Sequence, residues 1–296
     1  MSRKQTEVLV SRQHDRRSLF VETWLRIRTN PGALLGLVVL ILIILLMVYS
    51  FIFISHAQIS AYNSANRFQP PSAAYPFGTD DMGRDLFVRT IYGTRYSLSV
   101  AFGSIAFAVI VGVFLGAVAG FYGGLLEDVI MRASDVLASI PALLLGMVIV
   151  TVMGQSLINL MLAVGVSSIP NFVRMTRASV ITVKGNEYVE AAQAIGMPSF
   201  RIIFSQVLPN SISPLIVSAT ARLGVATISA SALSFIGFGV PVPTPEWGAL
   251  VSAGRDFLRT APHLTLFPGF FIMVTVFACS LLGDGLRDAL DPRLKK

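Results

Sequence analysis

Charge is scarce in this chain. Only 13% of its 296 residues are Asp, Glu, Lys or Arg, against roughly 25% in a soluble domain. Apolar side chains make up 54%. Too little polar surface exists to cover a water-soluble globule, so the composition points to a polytopic membrane protein. A single cysteine, Cys279, excludes an intramolecular disulfide; inside an apolar run it reads as a small buried hydrophobe. Four lysines are present and none stands in G-x-x-x-x-G-K-[ST], which excludes a P-loop nucleotide site on this chain. His14, His56 and His263 are scattered. With no H-E-x-x-H, no Cys/His cluster and no G-x-S-x-G elbow, hydrolytic and zinc chemistry lack their residues. The net charge of +7 would suggest nucleic acid in a soluble protein. Here it reads as the Lys/Arg imbalance across a membrane, and no nucleic-acid partner is expected.

What the chain has is long apolar runs. Six approach the roughly 20 residues that a spanning helix needs: 33–54, 98–120, 136–153, 157–173, 212–236 and 264–283. The residues before the first run are polar, basic and too long for the n-region of a signal peptide, and no small-residue cleavage site follows it. That run is expected to stay as a membrane anchor. If the N-terminus is cytoplasmic, sixteen Lys and Arg fall in inside segments, among them Arg132, Arg174, Arg177, Lys184, Arg201 and Arg287. Only six (Arg67, Arg84, Arg89, Arg95, Arg255, Arg259) fall outside. The positive-inside bias then puts both termini and the 174–210 segment in the cytoplasm. The expected organisation is a cytoplasmic tail (1–31), a first transmembrane helix (32–55), an extracytoplasmic loop (56–97), a transmembrane domain (98–284) and a cytoplasmic tail (285–296).

Acidic residues are missing from the spans, which argues against a carrier driven alone by an ion gradient. Arg222 is the clear ionisable residue within a span. It is read either as facing a water-filled path, where it would meet an anion such as a peptide carboxylate, or as snorkelling toward the cytoplasmic side. Gly112, Gly116 and Gly120 form a doubled G-x-x-x-G stripe that serves close helix approach, within the chain or against a partner. In GTDDMGRD, the spacing of Asp80, Asp81 and Asp85 does not fit an EF-hand loop. Thr79 as a helix cap with acids in the first turn fits better, and docking of another protein is the alternative.

One polar island interrupts the oil: EYVEAAQAIGMPSFRIIFSQVLPN, residues 187–210. Asn186 is a candidate N-cap, with Glu187 in the first turn. Tyr188, Val189, Ala191, Ala192 and Ile195 give the helix an apolar side, kept slim by its two alanines. Gly196 fits the left-handed position that ends helices. Pro198 opens a second helix, Phe200, Ile203, Phe204 and Val207 recur at helical spacing, and Pro209 closes it. The residues alone leave two readings, an interfacial helix pair or a docking knob for a cytoplasmic partner.

This stretch resembles the EAA loop of permease subunits of binding-protein-dependent ABC importers. Glu190, Ala191, Ala192, Gly196, Leu208 and Pro209 match that pattern at the right spacing. Gln206 stands where the pattern has Ile, and Val207 beside it is expected to supply the apolar contact. FGTDDMGRDLFVR (77–89), YGTRYSLSVA (92–101), GFYGG (120–124), PTPEWGA (243–249), FPG (267–269) and GDGLRDALDPRLKK (283–296) are similar to the second permease type of the dipeptide/oligopeptide/nickel branch. The resemblance implies an all-α membrane protein with six transmembrane helices in the type I ABC importer fold. It sits in a bacterial inner (plasma) membrane and is not itself an enzyme. It implies a second, non-identical permease, two cytoplasmic ATPases that hold ATP and Mg, and an extracytoplasmic solute-binding protein, with no cofactor on this chain. The EAA residues would couple to an ATPase. Asp80, Asp81, Arg84, Asp85, Glu246 and Trp247 would face the binding protein. Peptide is the expected solute, with glutathione or nickel as the alternative.

Overall fold

The computed structural model describes residues 19–241 and 243–290. The basic residues counted at Arg3, Lys4, Arg12, Arg16, Arg17, Arg293, Lys295 and Lys296, and the end of the GDGLRDALDPRLKK match, lie outside the described residues. Regular structure among the described residues is helical, with one isolated antiparallel bridge between Thr79 and Asp85.

The chain starts with α1 (Leu19–Thr29) and turns into α2 (Pro31–Phe53). The Asn30 side chain accepts the Ala33 N–H at 3.1 Å, and Pro31 takes a first-turn position where an N–H would have no partner. At 1.5 Å per residue α2 spans about 34 Å, enough for a bilayer core of about 30 Å. Its buried residues Ala33, Gly36, Leu40, Ile43 and Ser50 form one stripe; Leu35, Leu42, Leu45 and Ile52 on its other faces are exposed.

After α3 (His56–Ser60) and an irregular loop comes α4 (Leu86–Tyr122). It begins well before the apolar run at 98, so the last part of the expected 56–97 loop is helix. Arg89, Thr90, Thr94 and Ser97 are buried on it; the polar groups of Arg89, Thr90 and Ser97 meet partners inside the fold and not solvent. Gly123 and Gly124, at φ +70° and +56°, turn the chain sharply into α5 (Gly124–Ser139). α6 (Ala142–Met153) follows at 93° to α5. The apolar run 136–153 therefore does not form one straight span. Ile140 precedes Pro141 and is extended, as the proline ring demands. α6 alone reaches only about 18 Å.

The remaining elements are α7 (Leu157–Lys184), α8 (Glu187–Ala194), α9 (Ser199–Ile202), a π turn (Ile203–Val207), α10 (Leu208–Asn210), α11 (Ile212–Phe235), α12 (Trp247–Gly254), a 3-10 turn (Arg255–Phe257) and α13 (His263–Leu290). α2, α4, α7, α11 and α13 are each long and apolar enough to cross a membrane, and the bent α5–α6 pair makes a sixth passage if it counts as one. Arg26 of α1 donates to the Ala289 carbonyl of α13 at 3.4 Å, so the two ends of the described chain meet at one end of the bundle. The turn of α4 into the 56–85 loop lies at the other.

The main core joins α4, α7 and α11 through Val100, Leu160, Phe172, Val173, Ala226 and Leu233. The glycine stripe of α4 meets α7. A Cβ on Gly112 would lie 2.5 Å from the Phe172 Cβ; one on Gly116, 2.5 Å from the Val173 carbonyl oxygen; one on Gly120, 2.9 Å from that of Arg177. The stripe thus serves packing within the chain.

Gly116→Ala is expected to cost about 1–3 kcal/mol through overpacking against α7 backbone, less the ~1 kcal/mol that Ala gains in helix propensity. Gly269→Ala, where a Cβ would meet nothing within 4 Å, keeps that gain. Thermal unfolding of the purified variants in detergent checks it: equal midpoints would refute the stripe as the reason for close packing.

Candidate functional site

α8 lies across the ends of α4 and α7, at the same end of the bundle as α1 and the close of α13. Asn186 starts it, though not as expected. Its carbonyl accepts the N–H groups of Val189 (2.9 Å) and Glu190 (3.3 Å), while its side chain turns back to donate to the Val183 carbonyl at 2.9 Å. The exposed N–H groups of the first turn are left to the negative charges of Glu187 and Glu190. The other end closes in a Schellman motif: Met197 N–H donates to the Ala192 carbonyl (3.1 Å) and Gly196 N–H to that of Gln193 (3.0 Å). Gly196 adopts φ +79°, as this closure requires.

The two alanines expected on one slim face divide. Ala192 turns inward with Val189, which is 0% exposed, onto Phe121, Val180, Ile202, Ile203 and Val207. Ala191 turns outward with Tyr188, Glu190 and Ile195. Adjacent residues on a helix lie 100° apart, so one face cannot hold both. Lys184 fixes the floor: its ammonium donates to the Phe121 carbonyl at 2.6 Å, near the end of α4, and sits 5.4 Å from the Phe121 ring. The outward surface continues through Phe200, 68% exposed, and Phe204, whose rings lie 4.5 Å apart.

Leu208 packs against the α8 floor and Pro209 is exposed. Pro209 does not close the second helix; the helical path runs through it. A proline at 209 offers no N–H to the carbonyl four residues earlier, and the ladder widens just before it, with Leu208 N–H donating to the Ile203 carbonyl. Side chains take up neighbouring carbonyls: Asn210 donates to that of Gln206 (2.6 Å) and Ser211 to that of Val207 (2.9 Å). Gln206 is half-buried beside fully buried Val207, so the apolar contact falls one residue after the departure from the pattern.

Arg222 is half-buried midway along α11, its guanidinium carbon 5.9 Å from the Phe172 ring centre. Among the described residues it has no carboxylate partner. Ser218 and Ser229 fall on the same helix stripe, also half-buried.

At the far end, Thr79 is not a helix cap. It bridges to Asp85, accepts the Gln69 N–H at 2.8 Å and donates to the Asn66 carbonyl. Asp85 caps α4 instead, accepting from Phe87 and Val88 N–H at 2.8 and 3.3 Å. Burial pushes its carboxyl above the ordinary value against the pull of those bonds. Asp80 accepts Arg84 Nε at 2.7 Å and the backbone N–H of Met82 and Arg84 at 2.9 Å each. Arg89 reaches Asp80 at 3.5 Å and donates to the Ile59 carbonyl at 3.0 Å. Glu246 is 1% exposed and Trp247 0%. Glu246 accepts from the Ser97 hydroxyl (2.9 Å) and the Ala249 N–H (3.0 Å), and Trp247 Nε1 donates to the Thr90 carbonyl (3.0 Å). Of the six residues expected to face outward here, Asp80, Arg84, Glu246 and Trp247 are buried and Asp85 is turned into its own helix. Asp81 keeps exposed surface, beside exposed Met82.

Two features escaped the sequence reading. Glu246, expected on an outward-facing loop, is a buried acid whose carboxylate is satisfied as a helix cap. Arg95 lies over the rings of Tyr92 (3.9 Å) and Phe51 (4.4 Å) and donates to Ser50 Oγ (2.6 Å) and the Ile54 carbonyl (2.8 Å), closing the end of α2 from another helix. A cation among aromatics with no acid nearby was the available signal.

Residues 112–296 match the family described as binding-protein-dependent transport system inner membrane component, and residues 18–71 match the N-terminal TM domain of oligopeptide transport permease C. The dipeptide transport system permease protein DppC of Alkalihalophilus pseudofirmus is 42% identical over 93% of this chain and 90% of its own. The oligopeptide transport system permease protein OppC of Bacillus subtilis is 37% identical over 94% and 91%. The glutathione transport system permease protein GsiD of Pectobacterium atrosepticum is 38% identical over 97% and 95%. In fold, an inward-facing MetNI methionine ABC transporter chain superposes with a TM-score of 0.57 at 18% identity, over 69% of this chain and 96% of that one. The chain belongs to the family of binding-protein-dependent transport system inner membrane components and is a multi-pass inner-membrane permease of the ABC importer type.

Proposed function

We propose that this chain forms half of the translocation path of an ATP-driven importer of di- and oligopeptides, and that α8 is where an ATPase subunit drives it. The observation that carries the reading is the division of α8. One face is anchored on the ends of α4 and α7, while Tyr188, Glu190 and Ala191 stand exposed on the other, a surface continued by Ile195 and by Phe200 of α9. A helix anchored this way passes a push to two spans at once. A second, non-identical permease completes the path. Two ATPases hold ATP and Mg, and a solute-binding protein delivers the cargo. The end bearing α8 faces the cytoplasm, in keeping with the Lys/Arg count. The binding protein meets the far end at Asp81 and Met82, on a surface shaped from within by Asp80, Arg84, Asp85, Glu246 and Trp247. The relatives named for dipeptides and oligopeptides support a peptide solute; the GsiD relative keeps glutathione, itself a peptide-like anion, as the second reading.

Arg222, with Ser218 and Ser229 on its stripe, lines the path and meets the carboxylate of the solute. A charge-assisted hydrogen bond there contributes about 1.5–3 kcal/mol.

Ala191→Trp adds bulk only to the outward face. It is expected to cut uptake of a labelled dipeptide about tenfold, the equivalent of ~1.4 kcal/mol of docking energy, with unchanged amounts of the chain in the membrane. Normal uptake would sink the coupling role. Arg222→Gln is expected to raise KM about tenfold or more for a dipeptide with a free C-terminal carboxylate, and to spare its C-terminal amide. An equal effect on both substrates would remove the carboxylate from the proposal.

A further inference from the structure

An apolar groove of about 1390 Å³ opens between the 68–77 loop and the first part of α13. Phe68, Pro71, Phe77, Leu266, Phe270 and Met273 are among its walls. The walls are set by packing inside the chain: the Phe77 ring stacks on that of Phe267 at 4.0 Å, Phe68 lies 4.7 Å from Phe257, and His263 Nε2 is 3.3 Å from the Thr79 carbonyl oxygen. Gly269 also lines it, and a Cβ there would meet nothing within 4 Å.

Two properties narrow the occupant. The first is length. From His263 to Met273 the wall follows α13 for about 15 Å, half of a ~30 Å hydrocarbon core and thus one leaflet. The groove runs on into a stripe of exposed Phe270, Met273 and Phe277, a surface suited to hydrocarbon. The second is charge. Arg67 holds its guanidinium carbon 5.6 Å from the ring centre of Phe68, a wall residue. Arg259 is exposed and directly precedes Thr260, which also lines the groove. Among the described residues neither has a carboxylate partner, whereas nearby Arg255 is paired with Asp256 at 3.4 Å.

We infer that this groove binds an anionic phospholipid of the outer leaflet, one acyl chain lying along α13 and the headgroup phosphate meeting Arg67 and Arg259. The side of the membrane rests on the orientation proposed above; the apolar slot capped by two cations does not. A basic residue at a membrane surface favours an anionic headgroup by about fivefold, so two of them select phosphatidylglycerol over phosphatidylcholine by about tenfold or more. The bound lipid would wedge the 68–77 loop against α13.

Brominated lipids test this on the complete transporter. Phe270→Trp puts a reporter in the groove, with Trp24→Phe to remove the other exposed indole; Trp247 is buried and serves as background. In vesicles of mainly phosphatidylcholine with a minor share of brominated phosphatidylglycerol, emission from the introduced indole is expected to be quenched about tenfold more effectively, per mole of brominated lipid, than by brominated phosphatidylcholine. Adding R67E and R259E to this reporter variant is expected to abolish the preference while keeping quenching itself. Equal quenching by both lipids with the two arginines in place would overturn the headgroup site. No quenching by either would mean that protein covers the groove, and would overturn the proposal outright. Dipeptide uptake by the same reporter variant, measured separately, tells loss of this site from failure of the transport reading.

Discussion

α4 and α7 touch backbone to backbone. Gly112, Gly116 and Gly120 clear side chains from one face of α4 over about two turns, and the carbonyls of Ile169, Val173 and Arg177 fill the space. In a bilayer this matters more than in water, because lipid tails are as apolar as the helices and supply no hydrophobic drive to pair them. Close van der Waals contact has to take its place. Much of the architecture at the α8 end of the bundle follows from the resulting close pair. Its ends bring Phe121 and Val180 together, and those two residues are part of the floor on which α8 sits. Lys184 then bonds across the pair to the Phe121 carbonyl, so the floor is held by charge as well as by shape.

Arginines hold what the glycines do not. Arg95 closes the end of α2 from α4, Arg89 reaches the Ile59 carbonyl, and Arg26 binds the end of α13. Each donates to carbonyls at or just beyond a helix terminus, where a backbone acceptor would otherwise lack a partner. The segment matching the N-terminal domain of oligopeptide transport permease C is therefore fastened at both ends of the bundle. Between them, Gly36 packs against the Ala278 carbonyl. On the α8 side, Glu127–Arg177 and Asp135–Arg174 (3.2 Å) bind α5 to α7, which keeps the bent α5–α6 passage from swinging free.

Much of this was legible in the sequence where the pattern is local. Five of the six long apolar runs became single helices at their expected places, and Gly196 closes α8 with a left-handed residue. Polarity misled where its partner lies far away in the chain. Arg89, Thr90, Thr94 and Ser97 read as a loop because nothing nearby in sequence announces Ile59, Glu246 or Trp247. The same distance hid Glu246, whose carboxylate is satisfied by a serine 149 residues away. The division of Ala191 from Ala192 was out of reach for another reason: short helices show too little periodicity to fix which side faces in.

The π turn between α9 and α10 has a consequence for chain length. Its rung from Leu208 N–H to the Ile203 carbonyl spans five residues, so the turn holds one residue more than a regular helix would. Each residue of an α-helix advances the chain by about 100°. A deletion that restored regular rungs here would leave the deleted chain locally more ideal, yet it would set α8 out of phase with α11 by that angle. Val189 and Ala192 would then have to turn on their floor, or α11 in its packing, to absorb it. The register between the outward face of α8 and the membrane helix behind it is stored in one surplus residue.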